Sequence, residues 1–225
     1  RKTFTLLQAD MGRSAFIDFD GVYRNSEVWI NGHYLGKRPY GYSSFRYELT
    51  PWLKFGGAAN VLAVRVDNSK QPNSRWYSGS GIYRNVWLTL TGRVYVDHWG
   101  TCITTPEVSA QQAVISLQIR VRNDRETSQQ VTVMTEVFDP AGRRVAALRN
   151  AISVPPGAVE PISGNVTVTQ PALWSVEKPV LYRAVTRVLA ENREEDRYET
   201  PFGIRTIAFD LEKGFALNGV AMKLL

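Results

Sequence analysis

Residues 27–36 read Glu-Val-Trp-Ile-Asn-Gly-His-Tyr-Leu-Gly, with an Asn-Gly pair between two apolar runs. The tightest turn between antiparallel strands needs positive φ at both central residues, and Asn31 and Gly32 adopt that conformation with little strain. The flanking valine, tryptophan, isoleucine and tyrosine are residues that favour strands. The stretch therefore predicts a β-hairpin.

Alternation of apolar and polar residues continues along the chain. In residues 115–122 the apolar side chains occupy every second position, which is typical of a strand with one buried face. Further strands are predicted at residues 60–67, 85–90, 131–138, 145–151, 159–168, 181–190 and 197–200, with turns at 123–126 and 139–142. Since no segment has the period of an amphipathic helix, the sequence predicts an all-β chain. The short strands and polar turns after residue 100 are typical of an immunoglobulin-like β-sandwich.

A change in composition marks a domain boundary near residues 93–104. Five of the six tryptophans precede residue 100, and valine, threonine and glutamine dominate afterwards. The uneven distribution of aromatic residues suggests that any sugar contacts lie in the first domain.

The overall composition is that of an ordinary globular protein. The chain has 225 residues, 44% of them apolar, and a formal net charge of +6. The basic residues are scattered singly, which favours a solvated surface over a nucleic-acid-binding face. No apolar run is long enough to span a bilayer. His33 and His98 have no partners at ligand spacing, so we expect no metal site and no cofactor.

Two local interpretations concern residues without a predicted role in chemistry. Residues 191–197 are the densest charged stretch and mix both signs, which favours a solvated hairpin loop. The single cysteine, Cys102, excludes an internal disulfide, and we expect a small, buried or half-buried apolar side chain there.

Both ends of the sequence are interpreted as cuts, because the chain begins at Arg1 without an initiator methionine and stops within an apolar run. Absent targeting signals are then uninformative. We favour a periplasmic or secreted location over a cytoplasmic one.

The most unusual segment is the loop of residues 71–84, which contains three aromatic residues, two arginines and several Gly and Ser residues. Aromatic faces and planar guanidinium donors suit sugar rings, whose C–H faces stack and whose hydroxyls form hydrogen bonds. The alternative is a loop packed on itself, and the residues do not decide between the two. For a second segment, residues 36–45, we favour an inter-strand connection over a binding edge.

Glycoside hydrolysis needs a pair of carboxyl groups about 5–10 Å apart. The acidic residues of the first half occur singly, and we interpret Asp18 and Asp20 as a solvated rim. We therefore predict no catalytic residue in this chain.

Three ordered blocks of sequence resemble family-2 glycoside hydrolases of the β-galactosidase type. The first block spans residues 19–68 and includes Val28-Trp29-Ile30-Asn31-Gly32, and the second is Ser74-Arg75-Trp76-Tyr77-Ser78-Gly79-Ser80-Gly81-Ile82-Tyr83-Arg84. The third spans residues 202–219. These blocks occur in order along nearly the whole chain, from residue 19 to residue 219.

The resemblance implies an order of domains. It places a jelly-roll-like, galactose-binding-type sandwich at residues 1–95, without the opening strands expected before Arg1, and an immunoglobulin-like sandwich at 96–202. Residues 203–225 would open a catalytic (β/α)₈ barrel. Members of the family are retaining exo-glycosidases with two catalytic glutamates, both expected on barrel strands beyond this chain.

The resemblance also implies which residues contact the substrate. In the family the loop before the Gly-Ile-Tyr-Arg segment helps to shape the sugar pocket, which indicates Asn73, Arg75, Trp76 and Tyr77 as substrate-binding residues. Asn73 stands where several relatives carry an aspartate, so a metal-ligand role is in doubt. We interpret Arg84 as structural, paired with a carboxylate beneath the loop.

The expected partner is a carbohydrate, bound by the missing barrel together with residues 71–84, and the resemblance leaves open that the full-length enzyme forms a homo-oligomer. The alternatives are a β-glucuronidase or β-mannosidase relative, a stand-alone carbohydrate-binding module, and a structural tandem sandwich.

Overall fold

The computed structural model describes residues 1–70, 78–212 and 214–223. The chain divides into two compact units, Arg1–Gly92 and Arg93–Leu225. Strands dominate both units, and the described helices are two short 3₁₀ turns, Gln8–Asp10 and Thr50–Trp52. The predicted all-β fold is confirmed. In the described part of the chain, no helix is long and apolar enough to cross a membrane. The three-part division at residues 95 and 202 stays a prediction.

The first unit is a sandwich of antiparallel strands. Its described strands are β1 (Lys2–Thr5), β2 (Ser14–Phe19), β3 (Val22–Tyr23), β4 (Ser26–Ile30), β5 (His33–Arg38), β6 (Phe45–Glu48), β7 (Ala59–Arg65), β8 (Gly81–Ile82) and β9 (Val86–Thr91). One sheet has the order β1-β7-β4-β5 and the other β6-β2-β9, while β3 and β8 form a separate pair. The predicted hairpin is β4–β5, and its turn residues Asn31 and Gly32 have φ of 51° and 87°.

The core of the first unit lies between its two sheets. Apolar side chains of β2 pack against those of β4 and β7 to form one cluster, which includes Ile17, Phe19, Val28, Ile30 and Leu62. At one side the sheets leave an apolar cleft of about 490 Å³. The apolar side chains that line it are Phe4, Ile17, Phe19, Leu62, Val64, Ile82, Val86 and Leu88. This sandwich is therefore less tightly filled there than in its centre.

The second unit contains an immunoglobulin-like sandwich, as predicted. Its described strands are β10 (Val94–Val108), β11 (Gln112–Asn123), β12 (Gln129–Phe138), β13 (Arg144–Val154), β14 (Val159–Thr169), β15 (Tyr182–Ala190), β16 (Arg193–Phe202), β17 (Ile207–Asp210), β18 (Gly214–Leu217) and β19 (Val220–Ala221). A sheet of order β10-β11-β14 faces one of order β13-β12-β15-β16. Strands β17, β18 and β19 form a small third sheet.

Polar anchors accompany the apolar core of the second unit. The predicted turn residue Asn123 is fully buried, and its Nδ2 donates hydrogen bonds to the carbonyls of Thr127 and Val154, each at 2.9 Å. Its Oδ1 accepts a hydrogen bond from the backbone N–H of Arg125 at 2.9 Å. One side chain thus joins the turn after β11 to the end of β13, because buried backbone groups need partners.

The interpretation of residues 191–197 as a loop is wrong beyond its first two residues. Only Glu191 and Asn192 form the turn, with φ of 53° and 61°, and β16 begins at Arg193. Asp196 is buried, and its Oδ2 accepts a hydrogen bond from the backbone N–H of Val96 at 2.9 Å. Tertiary pairing thus overrides the polar composition of this stretch.

The expectation for Cys102 is also wrong. The thiol-bearing side chain is exposed. Successive side chains of a strand point to opposite faces, and the neighbouring Ile103 is the one that packs against the core. The face that the strand presents, not the residue type, decides the burial here.

Candidate functional site

The predicted substrate-binding residues Asn73, Arg75, Trp76 and Tyr77 lie outside the described residues, so their role stays a prediction. The structure describes what lies on either side of them. Residue 70 leads into the segment, and Ser78 follows it.

The two sides of this segment are tied to each other and to the sandwich. Asn68 Nδ2 donates a hydrogen bond to Ser80 Oγ at 3.0 Å. β8, which follows, pairs with β3 in register, with Val22 opposite Ile82. Asp67 Oδ1 accepts hydrogen bonds from Ser69 Oγ at 2.6 Å and from the Ser69 N–H at 3.0 Å, and these bonds lower the pKa of the Asp67 carboxyl. The loop is thus anchored where it leaves and rejoins the fold.

Four tyrosines come together beside the loop, and we call Tyr23, Tyr40, Tyr42 and Tyr83 the tyrosine cluster. The ring centroids of Tyr23 and Tyr42 lie 5.3 Å apart, and those of Tyr40 and Tyr42 lie 5.7 Å apart. The hydroxyl of Tyr83 donates a hydrogen bond to the Gly41 carbonyl at 2.8 Å. Gly41 lies so close to the Tyr23 ring that a Cβ atom there would clash with it.

Asn25 positions both segments that meet at the cluster. Its backbone N–H donates a hydrogen bond to the Pro39 carbonyl at 3.2 Å, next to Tyr40. Its side-chain Nδ2 donates to the Asp67 carbonyl at 3.0 Å, where the loop departs. Asn25 has a φ of 48°, a conformation that asparagine tolerates better than most residues. One residue therefore sets the separation of the two candidate segments.

The cluster presents aromatic surface to solvent. Tyr40 is 64% exposed, and Tyr42 and Tyr83 are each 49% exposed. Exposed tyrosine rings offer a flat apolar face and a hydroxyl that donates or accepts a hydrogen bond. This combination suits a sugar, which has both C–H faces and hydroxyl groups.

The segment of residues 36–45 joins two strands, and its alternative interpretation as a binding edge stays a prediction. It is an inter-strand connection, as we favoured, because β5 ends at Arg38 and β6 begins at Phe45. It also brings Tyr40 and Tyr42 to Tyr83, a residue about forty positions away. The only local signal of this contact is the Tyr-Gly-Tyr sequence at residues 40–42.

Two expectations about charged residues need correction. Arg84 is exposed, and within the described residues it has no ion pair with a carboxylate. Asp18 is not a solvated rim residue, because Arg46 donates to its two carboxylate oxygens at 2.7 and 2.9 Å. Alternation along β2 predicts the outward direction of Asp18 but not the partner that the next strand supplies.

Four described carboxyl groups have shifted pKa values, and all four are lowered, whereas a glycosidase acid/base needs a raised pKa. The pKa is lowered in Asp67, Asp139 and Glu177 by hydrogen bonds to the carboxylate. Burial raises the pKa of Asp97, but hydrogen bonds from Arg122 and Arg120 outweigh it, and the net shift is downward. Among the residues that the structure covers, no group of three or more His, Cys, Asp or Glu side chains is placed to hold a metal ion.

Comparison with protein families gives a match in the second unit. The family model described as glycosyl hydrolases family 2 matches residues 94–205. The chain is 51% identical over 224 residues to beta-galactosidase BoGH2A of Bacteroides ovatus, covering 100% of this chain and 26% of that protein. It is 30% identical to a beta-glucuronidase of Formosa agariphila, covering 100% of this chain and 25% of that protein. The chain spans about a quarter of the length of these curated relatives.

Solved structures show the same arrangement of strands. A glycosyl hydrolase family 2 member from Bacteroides cellulosilyticus aligns with a TM-score of 0.92 and 35% identity, over 99% of this chain and 30% of that one. A beta-glucuronidase from glycoside hydrolase family 2 aligns with a TM-score of 0.91 and 30% identity, over 99% of this chain and 25% of that one.

Proposed function

Since this chain belongs to family 2 of the glycosyl hydrolases, we propose that it is the non-catalytic portion of a retaining exo-β-glycosidase that hydrolyses terminal β-galactosides. The observation that carries this proposal is the 51% identity to a β-galactosidase along the whole chain. A periplasmic or secreted location and assembly of the full-length enzyme into homo-oligomers stay predictions.

In this proposal the chain supplies part of the sugar pocket and not the reaction centre. The tyrosine cluster would line the pocket together with the predicted substrate-binding residues Asn73, Arg75, Trp76 and Tyr77. Asn25 and the β3–β8 pair hold the described residues on either side of these four. The two glutamates would come from the barrel that follows.

A β-glucuronidase is the second candidate activity. It is favoured by the Formosa agariphila relative and by the β-glucuronidase structure, each of which aligns with nearly the whole chain. The two activities differ in the charge of the terminal sugar, which is neutral in a galactoside and anionic in a glucuronide.

The test is an assay of the full-length enzyme that carries this chain on nitrophenyl β-galactoside and nitrophenyl β-glucuronide. We expect a higher kcat/KM for the galactoside than for the glucuronide. Faster hydrolysis of the glucuronide supports the second candidate, and inactivity on every β-glycoside contradicts both.

The role of the loop is tested in the same enzyme with Arg75→Ala. If Arg75 bonds a sugar hydroxyl, its loss weakens transition-state binding by about 1.5–3 kcal/mol, which is roughly a ten- to hundredfold fall in kcat/KM. Arg84→Ala is the matched control, since Arg84 is exposed and close in sequence. Unchanged kinetics in Arg75→Ala would favour the alternative in which the loop packs on itself and does not contact the sugar.

A further inference from the structure

The outward face of the sheet β6-β2-β9 carries a row of side chains that the proposed pocket does not use. Ile17 and Phe19 of β2 point into the core, so the alternate residue Asp18 points outward. In the strand register Asp18 lies opposite Arg46 of β6 on one side and Trp87 of β9 on the other. Trp87 is 55% exposed although it lies on a regular strand.

The Trp87 ring is held in one orientation. Its indole Nε1 donates a hydrogen bond to Asp20 Oδ2 at 3.0 Å. This bond restrains the side chain, while more than half of the residue stays exposed to solvent. A pre-oriented aromatic ring loses little conformational entropy when a ligand stacks on it.

Polar groups with fixed geometry accompany the ring. Arg46 donates to both Asp18 oxygens, and Thr89 Oγ1 donates to Asp18 Oδ2 at 3.3 Å. The Arg46 guanidinium also lies 4.9 Å from the centre of the Phe16 ring. These contacts keep an arginine, a carboxylate and a hydroxyl in place beside Trp87, where the Arg46 and Asp18 side chains retain 22% and 14% exposure to a ligand.

Hydrogen bonds link both Trp87 and the tyrosine cluster to the adjacent residues Asp20 and Gly21. Ser44 Oγ, two residues from Tyr42, donates a hydrogen bond to the Asp20 carbonyl at 3.1 Å. The backbone N–H of Tyr83 donates to the Gly21 carbonyl at 3.3 Å. The exposed tyrosines and Trp87 are therefore fixed to the same short stretch of backbone.

We propose that Trp87 and the tyrosine cluster form one extended binding surface for a neutral oligosaccharide, with Trp87 stacking on a sugar unit distant from the hydrolysed end. This inference rests on the proposed function for the identity of the sugar. It adds that the substrates are longer than a disaccharide. An isolated monosaccharide would reach only one part of this surface.

The charges on the face favour a neutral glycan. The outward-facing acidic side chains are Asp18, Asp20 and Glu48, and the basic one among the same strands is Arg46. A uronic acid carboxylate stacked on Trp87 would lie beside the Asp20 carboxylate and be repelled by it.

The experiment is calorimetric titration of this 225-residue chain with neutral β-linked galacto-oligosaccharides of increasing length, and with a uronic acid oligosaccharide of similar length. We expect weak binding of galactose and lactose, affinity that increases with chain length, and weaker binding of the acidic chain. Trp87→Ala should lower the affinity for the long neutral chains about tenfold or more, and Trp87→Phe should retain part of it.

Trp99→Ala is the matched control, because Trp99 is 72% exposed and lies in the other unit. We expect its affinity to equal that of the unaltered chain, and circular dichroism checks that each variant is folded. Binding that does not depend on length, or equal affinity in Trp87→Ala and Trp99→Ala, overturns the proposal.

The two proposals fail separately. If the full-length enzyme hydrolyses galactosides but Trp87→Ala leaves kcat/KM for long and short substrates unchanged, the extended surface is wrong and the proposed function stands. If the full-length enzyme is inactive on galactosides but the chain still binds long neutral glycans through Trp87, the proposed activity is wrong and the surface stands.

Discussion

The two units differ in where their exposed aromatic side chains lie. In the second unit Asp97 is 7% exposed and accepts hydrogen bonds from Arg120 and Arg122, and Trp99 is an exposed ring. In the first unit three exposed aromatic residues, Tyr40, Tyr83 and Trp87, are linked to one another by short backbone segments. Both units use charged pairs to hold their folds, and the first also gathers aromatic side chains that a ligand could contact.

The comparison extends to the cores. The first unit keeps an apolar cleft of about 490 Å³ at one side of its core, although central side chains of both units, such as Ile30 and Leu117, are fully buried. The unit with the apolar cleft is also the one that carries the candidate site. The part of a chain that binds a ligand therefore need not be the part that is packed most tightly.

The largest expected effect tests the difference between the cores. Leu117→Ala removes a fully buried side chain and leaves a closed cavity, so it should lower the free energy of unfolding by about 3–5 kcal/mol. Leu62→Ala should cost less, about 2–3 kcal/mol, because Leu62 already borders the cleft. Urea denaturation of both variants measures the difference. Equal costs would mean that the cleft closes in solution.

The next effect tests whether the charges of the second unit hold its fold. Asp97→Asn weakens two charge-assisted hydrogen bonds and should lower the free energy of unfolding by about 1.5–3 kcal/mol at neutral pH. Because hydrogen bonds from Arg122 and Arg120 keep the folded pKa of Asp97 below its ordinary value, this stability is complete above the unfolded pKa of about 3.9. It is lost as the pH falls through the folded pKa.

Denaturation of the unaltered chain and the Asp97→Asn variant from neutral to acidic pH measures this effect. The two curves should converge in acid, and Glu126→Gln, at an exposed site, should follow the unaltered chain throughout. A constant gap between the unaltered chain and Asp97→Asn across the whole pH range would contradict the role of the Asp97 charge.

The smallest effect concerns the first unit. Tyr83→Phe removes the hydrogen bond to the Gly41 carbonyl at a half-exposed position, where water can replace it, so the expected loss is about 0.5 kcal/mol. Tyr40→Phe, at a more exposed ring, should change stability even less. Thermal unfolding measures both. A loss above that of Asp97→Asn would show that the tyrosine cluster supports the fold and not a ligand.

The sequence was sufficient for features that depend on neighbouring residues. The turn at Asn31-Gly32 follows from the tolerance of these two residues for positive φ, and the turn at 139–142 closes with a hydrogen bond from the Gly142 N–H to the Asp139 carbonyl at 2.9 Å. Most strands follow from the alternation of apolar and polar residues, because a sheet face is either buried or solvated.

Features that depend on distant partners were not predictable. Asp196 is polar and lies in a charged run, yet the backbone of Val96 gives it a buried partner a hundred residues away in sequence. The bulge in β10 between Val96 and Thr101, where Trp99 has a φ of 51°, depends on register with β11. The tyrosine cluster assembles from three separate segments. Local composition carries no information about such pairings.

The Asn31-Gly32 turn has one consequence for the chemical lifetime of the chain. An asparagine before glycine deamidates when the glycine nitrogen attacks the side-chain carbonyl carbon and ammonia leaves. Here Asn31 Nδ2 donates to the Trp52 carbonyl at 2.7 Å and to Asn60 Oδ1 at 2.9 Å, and Oδ1 accepts from the Val61 N–H at 2.8 Å. Attack by the Gly32 nitrogen would require breaking these bonds. The contacts that join the hairpin to its neighbours therefore also slow the deamidation of Asn31.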